Sequence, residues 1–329
     1  LILSRKERVM LSTAEHLDPI YWLEQIKSNG VQSGIHELLY YRGKTSLLDL
    51  TPRIANQAKL AGNYLAKSKG RGMEFDEVRH YQTGDDPRMI DWRVTARTGE
   101  TYTKLFREEK ERPIFILTDL SQTMQFGSQL LYKSVQASHV AALLAWNGKK
   151  RGDRVGGVVF NGVQHQELKP RSRQQGVLQY LHALESLSQN TDNRQISDSA
   201  TSFAEACARL RRLAKPGSLV NLVSDFALLD DQALQHLSQL ARHCELRAFR
   251  ILDPLEVALP QVQLRQSLQV KDGDKSGLLT LGDDSLSREY RQEAAFYLTE
   301  QSKKLKQCRC QIIDISAGQT LEEQLKHAR

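Results

Sequence analysis

An α/β fold, with a central, mostly parallel sheet and helices on both faces, is what this sequence predicts. Three observations carry that expectation: strands and helices alternate from Arg112 onward, the apolar runs are short and continuous, and two of them end on an aspartate. An N-terminal α+β extension and a β-hairpin excursion complete the predicted architecture. The expected divisions are a helical N-terminal segment over 1–45, a glycine-rich polar region over 46–111 that packs on the α/β domain, and that domain itself over 112–329, with a hairpin insertion at about 253–284.

The first part of the chain opens with helical stretches at about Asp18–Asn29 and Ile54–Lys69. Pro113–Leu120 (PIFILTDL) has the unbroken apolar character of a parallel strand buried on both faces. Gln129–Lys149 carries a long helical pattern, and Arg154–Phe160 is the next strand. Asn161-Gly162 signals a tight hairpin turn into Val163–Leu168. Ser172–Ser186 and Ser202–Leu213 are helical, Ser218–Ser224 is a central strand, Asp231–Arg242 a helix and Glu245–Leu252 a strand. Asp253–Asp284 breaks the alternation, and Pro254, Pro260 and Asp272-Gly273-Asp274 point to a hairpin on the sheet edge. Helix Ser287–Lys306, strand Arg309–Ile315 and helix Thr320–His327 finish the chain.

Composition narrows the function classes. At 40% hydrophobic and 26% charged, the 329 residues are ordinary for a globular protein. The longest apolar candidate, Val135–Trp146, is interrupted by Gln136, Ser138 and His139 and falls short of a membrane span. The leader LILSRKERV turns charged after three residues, the reverse of a signal peptide, so a cytoplasmic location is expected; Met10 is an alternative start. The net charge of +7 is spread along the chain, with 19 Lys/Arg against 16 Asp/Glu up to Arg112, leaving +3 there and +4 beyond. A nucleic-acid binder concentrates such charge on one element. Here the nearest cluster, Lys149, Lys150, Arg151 and Arg154, sits where a helix ends and suits its dipole. Four cysteines in a chain of this length read as reduced thiols; Cys308 and Cys310 share one face of a strand as small core residues, with no further ligand at zinc spacing.

Chemistry gathers where the strands end. Ligands of open α/β sheets lie beyond the carboxyl ends of the strands, and Asp119 and Asp225 each close an apolar strand. In Asp119-Leu120-Ser121-Gln122-Thr123 a carboxylate and two hydroxyls occupy alternate positions, which an extended backbone would point the same way. Such hard oxygens suit Mg²⁺, with Mn²⁺ or Ca²⁺ as alternatives. Two further ligands would come from neighbouring elements: Asp225, and Thr201 in the loop before the next helix, where Ser199 and Ser202 could serve instead. Taken alone, the Asp-x-Ser-x-Thr run also fits a helix N-cap.

Together these residues resemble the metal-ion-dependent adhesion site of the Rossmann-like von Willebrand factor A domain, whose pattern is Asp-x-Ser-x-Ser, then Thr, then Asp. Thr123 stands for the second Ser and keeps the hydroxyl; Ala206, five residues after Thr201, matches the loop-to-helix pattern. Upstream, Gly70-x-Gly72-x-Glu74-Phe75, Arg79-x-Tyr81, Gly84-Asp85-Asp86-x-Arg88-x-Ile90-Asp91-Trp92 and Ala96-Arg97 are similar to the signature of the bacterial "domain of unknown function fifty-eight" family. Asp253-Pro254-Leu255-Glu256, Pro260 and Arg288-Glu289-Tyr290 fit that family's C-terminal half. The resemblance runs from about Leu47 to the end. It implies an adaptor or chaperone cofactor of a MoxR-type AAA+ ATPase, binding that partner and a client protein through Mg²⁺ held by Asp119, Ser121, Thr123, Thr201 and Asp225.

Within the signature, Gly84-Asp85-Asp86-Pro87 reads as a turn, with Pro fixing φ and Asp capping. Arg79, Arg88 and Arg97, interspersed with Glu74, Asp86 and Asp91, are expected to form a buried ionic network with Trp92 packed against it; a docking surface is the alternative. No phosphate loop, Gly-x-Ser-x-Gly elbow, His-Glu-x-x-His or dinucleotide fingerprint occurs. No histidine falls in the site segments, and His139 is expected to be a packed or surface residue. The expectation is therefore a binding module and not an enzyme, with a metal-dependent phosphate-ester hydrolase as the alternative.

Overall fold

The computed structural model describes residues 19–48, 73–108, 112–189, 202–260, 262, 266–272 and 275–326; the expected helix Ile54–Lys69 lies outside them. The chain forms two compact units, one of residues 1–50 with 112–329 and one of residues 51–111. Its first two described helices, α1 (Pro19–Ile26) and α2 (Ile35–Tyr40), belong to the larger unit.

In the smaller unit, β1 (Met73–His80) pairs antiparallel with β2 (Tyr102–Glu108), with a bulge between Phe75 and Glu77. The connection is built on caps. Gly84 takes φ +110°, a left-handed value that favours glycine, and Asp86 accepts the Arg88 N–H to start a short 3₁₀ turn at Pro87. Asp91 accepts the N–H groups of Arg93 and Val94 at the head of α3 (Trp92–Thr98), and Gly99 at φ +78° ends it. The turn is as expected; the buried ionic network is not. Arg79 pairs with Asp85 at 2.7 Å, Arg88 and Arg97 are exposed, and Trp92 is 69% exposed. Asp91 caps the helix and pairs with Lys104 at 3.7 Å, not with one of those arginines, and the short helix presents Trp92 outward.

The larger unit is built on six strands: β3 (Pro113–Asp119), β4 (Arg154–Phe160), β5 (His165–Arg171), β6 (Leu219–Ser224), β7 (Glu245–Leu252) and β10 (Gln311–Ser316). Their order across the sheet is β10-β7-β6-β3-β4-β5. All pairs are parallel except β4 with β5, joined by the hairpin at Asn161-Gly162, where Asn161 Oδ1 accepts the N–H groups of Val163 and Gln164. Counting only these strands along the chain, the order is 6-5-4-1-2-3, the doubly wound arrangement. This is the Rossmann-like α/β architecture, a mostly parallel central sheet with helices on both faces, expected from the sequence. The hairpin excursion is present as β8 (Gln266–Asp272) and β9 (Lys275–Leu281), but it forms a two-stranded sheet of its own and does not extend the main sheet's edge.

Strand alternation sorts the core into two layers. Ile114, Ile116, Val155, Val159, Leu219 and Val223 face α4 (Lys133–Lys150) and α5 (Arg173–Gln189). Phe115, Leu117, Val158, Phe160, Val220 and Leu222 face α6 (Phe203–Leu213), α7 (Asp231–Leu240) and Leu305. In β4, Gly157 lies so close to the neighbouring strand that a Cβ would collide with the Ile116 carbonyl oxygen. Only glycine permits that approach.

Helix α4 is buried on all sides because a second shell covers it. Trp22 and Ile26 of α1 pack on Leu131 and Val135. The Trp146 indole donates to Leu38 O at 3.1 Å, the Asn147 amide donates to Thr45 O at 2.9 Å, and His139 Nε2 meets Glu37 Oε2 at 3.2 Å. His139 is thus a packed residue, fully buried. The segment 19–48 turns what would be a surface helix into a core helix.

Candidate functional site

The strand order reverses between β3 and β6, where one strand continues toward β4 and the other toward β7. Beyond the carboxyl ends of strands at such a point, two diverging loops leave a crevice. Asp119 is the last residue of β3; Ser224 is the last of β6, and Asp225 comes directly after it.

After β3 the chain makes one more ladder bond, Leu120 N–H to Phe160 O at 2.8 Å, and then turns. Asp119 Oδ1 accepts the Ser121 N–H at 2.9 Å, and a single 3₁₀ turn occupies Gln122–Met124. The backbone therefore does not stay extended through the motif, as alternation would require. The carboxylate-anchored turn brings Ser121 Oγ and Thr123 Oγ1 within 3.4 Å of each other instead.

Asp225 is fixed from three sides. Its Oδ1 accepts the Ala227 N–H at 2.9 Å, and its Oδ2 accepts from Lys133 Nζ at 2.8 Å. Gln301, in α9 (Asp284–Gln307), donates to its backbone carbonyl at 2.9 Å. Ser224 Oγ donates to Asp119 Oδ2 at 2.7 Å and accepts the Phe226 N–H at 3.0 Å, tying the two strand ends together. Lys133 comes from the first turn of α4 and also meets Glu256 Oε1 at 2.5 Å, in the short helix α8 (Pro254–Val257).

Asp119 and Asp225 are 1% and 6% exposed. Burial, reinforced by the neighbouring Asp225 carboxylate, pushes the Asp119 carboxyl up to about 6, against the opposing hydrogen bonds from Ser121 and Ser224. For Lys133, burial is the largest influence and pulls its ammonium down, but the Asp225 and Glu256 carboxylates outweigh it and hold the pKa above the ordinary lysine value.

This donor set fits a hard divalent cation. It holds two carboxylates and two hydroxyl oxygens, and the unfavourable crowding of buried negative charge is what a divalent ion offsets. Among the described residues no three His, Cys, Asp or Glu side chains cluster for metal binding. Of the five residues singled out from the sequence, Asp119, Ser121 and Thr123 lie together in the turn after β3, and Asp225 follows the end of β6, whose Ser224 is hydrogen-bonded to Asp119. Thr201 lies outside the described residues, as does Ser199. Ser202 is exposed, and its Oγ caps α6 by accepting the Glu205 N–H at 3.1 Å.

Sequence reasoning missed Ser224, Lys133, Glu256 and Gln301 as neighbours of the site. Lys133 carried a usable signal: a lone ammonium entering a helix of buried residues needs a carboxylate. The four cysteines are all buried free thiols, as expected of core residues. Among the described residues no helix is long and apolar enough to cross a membrane.

The family described as "Protein of unknown function DUF58" matches residues 77–301. Uncharacterized proteins of Mycobacterium bovis (Mb1516) and Mycobacterium tuberculosis (Rv1480) are each 25% identical over 269 residues, covering 82% of this chain and 82% of the relative. Among solved structures, the conserved hypothetical protein BatB from Bacteroides thetaiotaomicron aligns at a TM-score of 0.38 and 14% identity, over 66% of this chain and 98% of that one. An aerotolerance-related membrane protein from Bacteroides fragilis aligns at 0.40 and 13%, over 66% and 96%. Both superpositions are loose, and it is the strand order itself that defines the fold.

Proposed function

The chain belongs to the DUF58 family, and from that premise we propose that its α/β domain is a metal-ion-dependent protein-interaction module. Asp119, Ser121, Thr123 and Asp225 would hold a Mg²⁺ ion, with Thr201 supplying a further oxygen. One observation carries this reading: two buried carboxylates end adjacent parallel strands at the reversal point, with two hydroxyls turned together beside the first. When bound, the ion supplies an electrophilic centre that a carboxylate of a partner protein completes.

The chain's own residues do the positioning. Ser224 orients Asp119, and Ala227 orients Asp225. Gln301 links the Asp225 backbone to α9, and Lys133 links its side chain to α4. A change at the crevice is therefore felt by two long helices, which suits a module that signals occupancy. The partner is inferred from the resemblance: a MoxR-type AAA+ ATPase, with this protein as its adaptor or chaperone cofactor toward a client. The role proposed is binding and not catalysis.

The test is capture of the ATPase from cells of the native host on immobilised full-length chain, with Mg²⁺ and with chelator. Mg²⁺-dependent capture by the wild type and none by a folded Asp119→Ala variant supports the reading. Capture indifferent to both, or no ATPase captured under either condition, contradicts it.

A further inference from the structure

The family-like motif Asp253-Pro254-Leu255-Glu256 has no part in the ligand set, yet it is wired to it. Glu256 Oε2 accepts the Asp253 N–H at 2.9 Å, closing a capping box over α8. Asp253 Oδ2 accepts the Ser128 N–H at 2.8 Å and its Oδ1 accepts the Ser128 hydroxyl at 2.5 Å, pinning the loop between β3 and α4 to the end of β7. The Tyr290 hydroxyl donates to Leu255 O at 2.9 Å, bracing the turn against α9. Glu256 is thus held in a fixed place, and its other oxygen meets Lys133.

Lys133 poses a conflict for any cation at the crevice. Its side chain is 2% exposed and its ammonium sits 2.8 Å from Asp225 Oδ2, on a carboxylate assigned to the ion. A divalent ion and an ammonium repel, and each draws on the same oxygens. An ammonium this buried is costly without a carboxylate of its own. Glu256, 38% exposed and already in contact, is the group that meets that need.

Building on the metal-site reading above, we propose that Glu256 is a positioning residue for cation binding, which takes over the Lys133 ammonium and so frees Asp225 for the ion. The Asp253–Glu256 turn is then the fixed post that keeps this acceptor within reach.

The experiment is calorimetric titration of Mg²⁺, and separately Mn²⁺, onto the full chain as wild type, Glu256→Gln, Glu256→Asp, Lys133→Met and the Lys133→Met/Glu256→Gln double variant. Glu256→Gln is expected to weaken binding by about tenfold or more, because Lys133 then holds Asp225 alone. With Lys133 removed, the same substitution is expected to change affinity by less than about threefold. Glu256→Asp keeps the charge but shortens the reach, and is expected to weaken binding as Glu256→Gln does; this arm decides the matter if Lys133→Met does not fold. An equal loss from Glu256→Gln with and without Lys133, or a Glu256→Asp variant that binds like the wild type, reduces Glu256 to a remote charge and overturns the proposal. A wild type that binds neither ion overturns the metal-site reading as well, whereas a wild type that binds with an additive cycle overturns this inference alone.

Discussion

Substituting Asp119 by Asn should stabilise the metal-free protein, and the gain should depend on pH. The Asp119 carboxyl is raised to about 6 by burial and the adjacent Asp225 carboxylate, from an ordinary value of 3.8. A rise of about two pKa units, at about 1.36 kcal/mol each, puts the cost of ionising it in the folded chain on the order of 3 kcal/mol. Between about pH 4 and pH 6 the native chain holds more protons than the unfolded one, so stability falls as pH rises, and above about pH 6 the whole penalty is present. The amide of the Asp119→Asn variant carries no such charge. It still accepts the Ser121 N–H, and its less suitable contact with Ser224 costs about 1 kcal/mol at every pH. The stability of the variant minus that of the wild type should therefore climb by on the order of 3 kcal/mol between about pH 4 and pH 7.5. Urea unfolding in chelator, followed by fluorescence of the buried Trp22 and Trp146, measures it. A difference that stays flat over that range, or falls with pH, would refute the claim that the site crowds buried negative charge.

Two further outcomes test the architecture around the site. Leu38, fully buried in the same core cluster as Leu143 and Trp146, should cost about 2–5 kcal/mol when cut to Ala, showing in thermal unfolding that the segment ahead of the sheet is part of its core. Trp92→Ala, at a side chain 69% exposed, should shift stability by no more than about 0.5 kcal/mol, and a larger loss would restore the buried network expected from the signature.

What could be read from the sequence was what depends on neighbours along the chain. Strands β4 and β7 were legible to the residue: β4 is a short apolar run closed by turn residues, and β7, although it carries Glu245, Arg247 and Arg250, is closed by the capping residue Asp253. The crevice carboxylates were legible because an Asp closing a buried strand stands out against its apolar background. Two other features depend on contacts between distant segments and were not. Lys133 meets Asp225 and Glu256, residues 92 and 123 positions away, so its partners exist only once α4, β6 and the turn after β7 converge. Ser224, one more small residue on an apolar strand, acquires a role only through Asp119 across the strand pair. Trp92 misled in the opposite sense, because a large aromatic amid charges suggests burial, yet the capped helix α3 turns it outward. Likewise the helical segment 19–48 could be read as helices, but that it seals α4 depends on contacts of about a hundred residues' separation such as Trp146 to Leu38.

The central claim is that Asp119 and Asp225 jointly hold a divalent cation. Calorimetric titration of Mg²⁺ onto the full wild-type chain, beside Asp119→Asn and Asp225→Asn, tests it most directly. One ion bound per wild-type chain, and none in either folded variant, is the predicted result. Binding that survives both substitutions, or a wild type that binds no ion, would contradict it.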